Sequence, residues 1–143
     1  MKKLIATVTI LITLSSEACP DHLRDLIFTE SKILIPLKGS KVTVAYGLIK
    51  NISKEKLELK IIEADGFRSA EIHESYQEGG KAGMRKIDTI EIPSEKTFEL
   101  KSGSFHVMLF DPTKTFKPGD EVRIKFLKNG NEIVEKYEIS SRR

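Results

Sequence analysis

An all-β domain, a sandwich or barrel of short strands, is the fold class this chain predicts. Three observations lead there. Stretches in which apolar and polar residues alternate recur along the chain, which is the period of a half-buried strand. Turn residues (Gly, Pro, Asn, Asp, Ser) close each stretch. Helical periodicity is scarce, and there are no internal repeats or low-complexity tracts.

In order along the chain, the first segment reads as an address. Lys2-Lys3 form a positive start and Leu4 to Leu14 an apolar run, and Ser16 and Ala18 are small residues where a signal peptidase reads them. The apolar run is shorter than the roughly 20 residues needed to cross a bilayer. Residues 1–18 are therefore expected to be a signal peptide, and the protein to be periplasmic or otherwise exported. Cys19, the single cysteine, falls at the cleavage point. It is either the lipidated first residue of a bacterial lipoprotein or a thiol left by ordinary cleavage. With one cysteine there is no internal disulfide, so packing must hold the core. Residues 19–32 read as a lead segment containing the one helical candidate, Asp21 to Glu30. Residues 33–143 read as the β domain.

Within that domain, Lys41 to Lys50 is rich in β-branched and aromatic residues, and Lys56 to Ile62 alternates Leu57, Leu59 and Ile61. Ala70 to His73 follows, then a turn at Gly79-Gly80. Further strands are expected at Asp88 to Ile92, Thr97 to Leu100, Ser104 to Phe110, Glu121 to Leu127 and Glu132 to Ile139. Pro93-Ser94, Ser102-Gly103, Asp111-Pro112 and Pro118-Gly119-Asp120 separate them. Asn129-Gly130 is the strongest hairpin signal, since both residues accept positive φ.

The 24 basic and 21 acidic residues are interspersed and give a net charge of +3. No clustered positive face of the kind that binds nucleic acid is apparent, so no nucleic-acid partner is expected.

The chemistry-bearing pattern is sparse. Apart from the initiator there are two methionines, Met84 and Met108, and two of the three histidines are spaced with them. His73 is followed by ten residues and Met84, then by twenty-one residues and His106-Val107-Met108. Two imidazoles and two thioethers make a neutral, soft donor set that suits Cu(I) better than zinc, calcium or magnesium. Alternation sets Phe105, Val107 and Leu109 on the core face, so His106 and Met108 share the outer face. The same logic turns Ala70 and Ile72 inward and His73 outward with Glu71. Met84 is expected on a connection after Gly83 that folds back, so that the four donors converge at the surface. A thioether also suits an oxidising compartment, because it forms no disulfide.

The segment HESYQEGGKAGMRKIDTIEIPSEKTFELKSGSFHVMLFDP, His73 to Pro112, resembles the periplasmic copper chaperone family often written PCu(A)C. The His, ten residues, Met, twenty-one residues, His-x-Met pattern matches without a gap, as do "IEIP" and "HVML" around it. A looser resemblance runs from about Ile33 to Ile139. It implies a cupredoxin-like Greek-key β-barrel, with His73, Met84, His106 and Met108 as Cu(I) ligands. It also implies a role escorting copper between donor and acceptor proteins, toward the CuA centre of cytochrome oxidase, with subunit II as recipient. A monomer is expected.

The alternative function is a structural or adhesive β-sandwich module in which the spacing is coincidental; a copper titration separates the two. An enzyme is not expected. The chain has no Ser-His-Asp order and no HExxH.

Overall fold

The computed structural model describes residues 25–142. Strands fill it in the order β1 (Leu26–Leu34), β2 (Val42–Asn51), β3 (Leu57–Ala64), β4 (Phe67–Glu78), β5 (Lys81–Ile87), β6 (Ile90–Ile92), β7 (Thr97–Leu100), β8 (Phe105–Pro112), β9 (Glu121–Lys128) and β10 (Asn131–Ser140). The all-β expectation holds, and no helix occurs among the described residues. The expected signal peptide, residues 1–18, and Cys19 lie outside them.

One expectation is corrected at the start. The described part of the helical candidate Asp21 to Glu30 is strand, because β1 begins at Leu26. β1 pairs antiparallel with β2 and parallel with β10, so this part of the lead segment lies inside the sheet. Leu26 and Ile33 are buried and Phe28 packs its ring 5.5 Å from Phe126. Burial on a sheet outweighed the weak helical period. A bulge between Thr29 and Lys32, with Glu30 at positive φ, interrupts the alternation that would have marked the strand.

The hydrogen-bonded path runs β5-β4-β8-β2-β1-β10-β9-β3-β6, with β7 added beside β2. β3 and β4 lie near opposite ends of that path, yet only Asp65-Gly66 separates them in the chain. The sheet must therefore curl until its ends meet. Gly66 makes that corner at φ +82°, and a Cβ there would lie 2.7 Å from Lys114 Cε and 2.8 Å from Phe116 Cζ. Asn129-Gly130 turns β9 into β10 with both residues at positive φ, as the sequence signal requires.

The curled sheet encloses one core, to which β4 gives Ile72, β8 Val107 and Leu109, β3 Leu59, β9 Val122, Ile124 and Phe126, and β10 Tyr137 and Ile139. Asn51, at the end of β2, is buried with its amide nitrogen donating to the carbonyls of Glu55 (2.7 Å) and Ile92 (2.9 Å). That staple pins the corner beneath β6 and β7.

Candidate metal centre

The site grows from the register of three neighbouring strands. In the antiparallel β4–β8 pair, His73 stands directly opposite His106 and Glu71 directly opposite Met108. Directly opposed residues project to the same face, with Cβ atoms about 5 Å apart. Ile72 and Val107, one position along, are fully buried. Core packing of Ala70, Ile72, Val107 and Leu109 therefore turns Glu71, His73, His106 and Met108 outward together, as alternation predicts. The two imidazole centroids are 6.2 Å apart. A metal–nitrogen bond of about 2 Å puts each centroid roughly 3 Å from an ion, so one ion fits between the rings.

His106 departs from the expected surface position. It faces outward, yet only 4% of it is exposed. β8 has β4 on one side and β2 on the other, so side-chain rows on both flanks cover it. From β2, Val44 stands opposite Met108 and Val42 opposite Phe110, all of them half-buried. The Phe110 ring lies 6.3 Å from that of His73. An apolar rim thus borders Met108, the kind of shell that limits solvent access to a metal.

Met84 is not on a folded-back connection. It lies within β5, opposite Ser75 of β4, on the same face as His73 but diagonal to it. β5 is an edge strand paired only with β4, and Met84 is 57% exposed. From Glu71, beside Met108, to Ser75, beside Met84, is about 13 Å of strand. The two thioethers therefore flank the histidine pair from opposite ends. Gly83 has a different task from the one expected. It stands opposite Tyr76, and a Cβ there would lie 2.5 Å from Oη and 2.6 Å from Cζ of that ring. Tyr76 fills the place of the missing side chain, and Arg85 lies 5.8 Å from the ring centroid. This packing, with the Arg85–Glu74 ion pair at 2.6 Å, supports the hairpin on the face opposite Met84.

Hydrogen bonds define the imidazole nitrogens. His106 Nδ1 is 3.0 Å from the Ser104 carbonyl. A carbonyl only accepts, so Nδ1 carries the proton and Nε2 is left with its lone pair. His73 Nε2 is 2.8 Å from Glu71 Oε2, and Lys86 Nζ is 3.0 Å from Glu71 Oε1. The hydrogen bond from His73, then that from Lys86, hold the Glu71 carboxyl below its ordinary range. An ionised carboxylate accepts, so His73 Nε2 donates and, in the neutral ring, Nδ1 is the nitrogen with a free lone pair. Alternation had set Glu71 on this face beside His73; only the cross-strand pairing shows it joined to Lys86 as well.

Among the described residues, no group of three or more His, Cys, Asp or Glu is arranged to hold a metal ion. The register instead sets Met108 and Met84 on the same face as the two imidazoles, a soft and neutral set of donor types whose chemistry fits Cu(I).

Comparison with known proteins bears on the same region. The family model described as "Putative lipoprotein LpqE-like" matches residues 22–137. The chain belongs to the LpqE-like family. A Rickettsia prowazekii protein, RP573, is 31% identical over 87 residues. That match covers 60% of this chain and 48% of RP573, so the chain spans about half the length of that relative. Solved structures with this fold include the apo PCuAC domain of PmoF1, with TM-score 0.69 and 20% identity over 83% of this chain and 96% of that domain. The copper-bound PCuAC domain of PmoF2 gives TM-score 0.68 and 18% identity, over 83% and 95% of the two chains. Cu(I)-loaded DR1885 from Deinococcus radiodurans gives 0.59 and 21%, over 87% and 85%. The LpqE-like chain therefore has the cupredoxin-like PCuAC fold, as the resemblance implied.

Proposed function

We propose that this LpqE-like protein is an exported copper chaperone that binds one Cu(I) per chain through His73, Met84, His106 and Met108. The observation that carries the reading is the direct pairing of His73 with His106 across β4 and β8, with Met108 on the same face. Two fold neighbours are copper forms by their titles, one of them Cu(I), which supports this metal for the same architecture.

The ion is cargo, and this chain's residues bind and release it. His106 and Met108, two positions apart on a strand flanked on both sides, supply one imidazole and one thioether. His73 supplies the second imidazole from β4. Met84, exposed on the edge strand, completes the set when its side chain reaches in, and is the donor an acceptor displaces most readily. The chain acts as a monomer and as a carrier, not as an enzyme. Its recipient, on the family resemblance, is the copper centre of cytochrome oxidase in subunit II. Export with a lipid anchor at Cys19 agrees with the lipoprotein description of the family; the match begins just after that residue.

The test is an anaerobic Cu(I) competition titration against a chromophoric chelator, followed by transfer from the loaded protein to a soluble CuA domain. Uptake of one equivalent, abolished when all four donors are replaced, is expected. No uptake by the wild type, or unchanged uptake by that variant, refutes the assignment and favours a structural or adhesive module. Uptake without transfer removes the oxidase recipient alone.

A further inference from the structure

The four-donor set is neutral, but one carboxylate stands beside it, at the Met108 end. Glu71 is directly opposite Met108 and two positions before His73 on the same outer face of β4. Its two oxygens are engaged in different ways. Oε2 is 2.8 Å from His73 Nε2 and Oε1 is 3.0 Å from Lys86 Nζ. Lys86 is itself directly opposite His73 on β5, so Glu71, His73 and Lys86 form a chain of contacts across the hairpin that carries Met84. Both oxygens of Glu71 already have partners, so it is placed to support a ligand and not to be one. It acts on the ion through His73.

We propose that Glu71 is a positioning residue for Cu(I), holding His73 Nε2–H so that Nδ1 is the nitrogen offered to the metal, and supplying the negative charge the donor set lacks. This rests on the copper reading above. Three physical reasons support it. A histidine that donates its other N–H to a carboxylate has a fixed tautomer and ring orientation, and is a more basic ligand. The two histidines then differ: His106 is fixed by a backbone carbonyl on Nδ1 and offers Nε2, whereas His73 is fixed on Nε2 and offers Nδ1. Finally, a cation bound among neutral donors beside an apolar rim is favoured by a nearby anion and opposed by the Lys86 ammonium. Lys86 already engages one oxygen of that anion. The carboxylate is thus shared between the lysine and the ion's histidine, and the pair sets retention against release.

The experiment uses the full chain labelled with 15N at histidine, apo and Cu(I)-loaded, with long-range proton–nitrogen correlations reading which ring nitrogen carries hydrogen. Expected in the wild type are His73 protonated at Nε2 in both states and, after loading, Nδ1 on copper. Glu71→Ala should weaken Cu(I) binding by about ten- to a hundredfold, the usual effect of losing such a partner, and leave apo His73 as a mixture of tautomers. Glu71→Gln retains an acceptor without charge, so it should restore the tautomer but only part of the affinity. Lys86→Gln should change affinity in the opposite direction and tighten binding. Glu71 lies on the outer face, so none of these changes opens the core, and circular dichroism checks that. Copper on Nε2 of His73 in the wild type, or wild-type affinity in Glu71→Ala, overturns the proposal; weaker binding in Lys86→Gln overturns its charge half. If the wild type takes up no Cu(I), the copper reading fails. The apo spectrum still tests Glu71 separately, and hydrogen on Nδ1 of His73 there overturns the orientation.

Discussion

β8 and β5 each contribute to the outer face, and they do so from opposite structural circumstances. β8 lies between β4 and β2, so its outward residues are flanked on both sides and His106 is buried although it points away from the core. β5 is bonded only to β4, so Met84 stands mostly in solvent. The same alternation rule turned both side chains outward; the number of neighbouring strands left one buried and the other exposed. The carrier role proposed above uses both kinds of donor. A buried ligand holds the ion through diffusion, and an exposed one gives an acceptor a point of entry.

The largest expected effect breaks this asymmetry at its strong end. His106→Ala should reduce Cu(I) affinity by more than about a hundredfold, beyond the usual cost of losing an outer partner of a ligand, whereas Met84→Ala should cost roughly tenfold and speed release to a chelator. Competition titrations and stopped-flow release on the two variants decide it. Equal losses, or a larger loss for Met84, would mean that strand position does not rank the donors.

Next in size is the dependence on pH. Each imidazole must be neutral to donate, so protons compete with copper for both rings. Once both rings are protonated in the apo protein two protons leave on binding, so log affinity should then fall by about two for each unit of falling pH, and it should be flat where both rings are neutral. In His73→Ala the limiting slope should be about one. Affinity still climbing steeply at pH 9 would indicate a thiolate, and therefore Cys19, among the ligands.

Stability should separate the two strands by a smaller margin. Met84→Ala removes an exposed side chain and should lie within about 0.5 kcal/mol of wild type. Met108→Ala removes a half-buried one and should cost on the order of 1 kcal/mol while leaving the fold intact. Urea denaturation of apo proteins measures both. Collapse of Met108→Ala would show that this side chain belongs to the core. As the counterpart to both, Asn51→Ala, far from the site, should cost about 1–3 kcal/mol, because it strands the buried Ile92 carbonyl that the amide now satisfies.

The smallest effect concerns Cys19. Copper affinity should be unchanged in Cys19→Ala, while membrane partitioning of the mature protein should be lost if the residue is lipidated. A wholly soluble native protein with a free terminal cysteine would rule out the anchor.

Local periodicity was enough to reveal an all-β chain, the Asn129-Gly130 hairpin, and the outward turn of Glu71, His73, His106 and Met108, because a two-residue period reports which face a side chain takes. It misread Asp21 to Glu30, where a bulge breaks the period and burial against β2 and β10 makes a strand. It also treated Met84 as a loop residue, since Gly83 looks like a hinge until Tyr76 is seen filling the space above it. The pairing of His73 with His106, the burial of His106, the exposure of Met84 and the joining of Glu71 to Lys86 all depend on which remote strands lie side by side. That is a matter of register and sheet order, set by packing across the whole core, and no short stretch of chain encodes it.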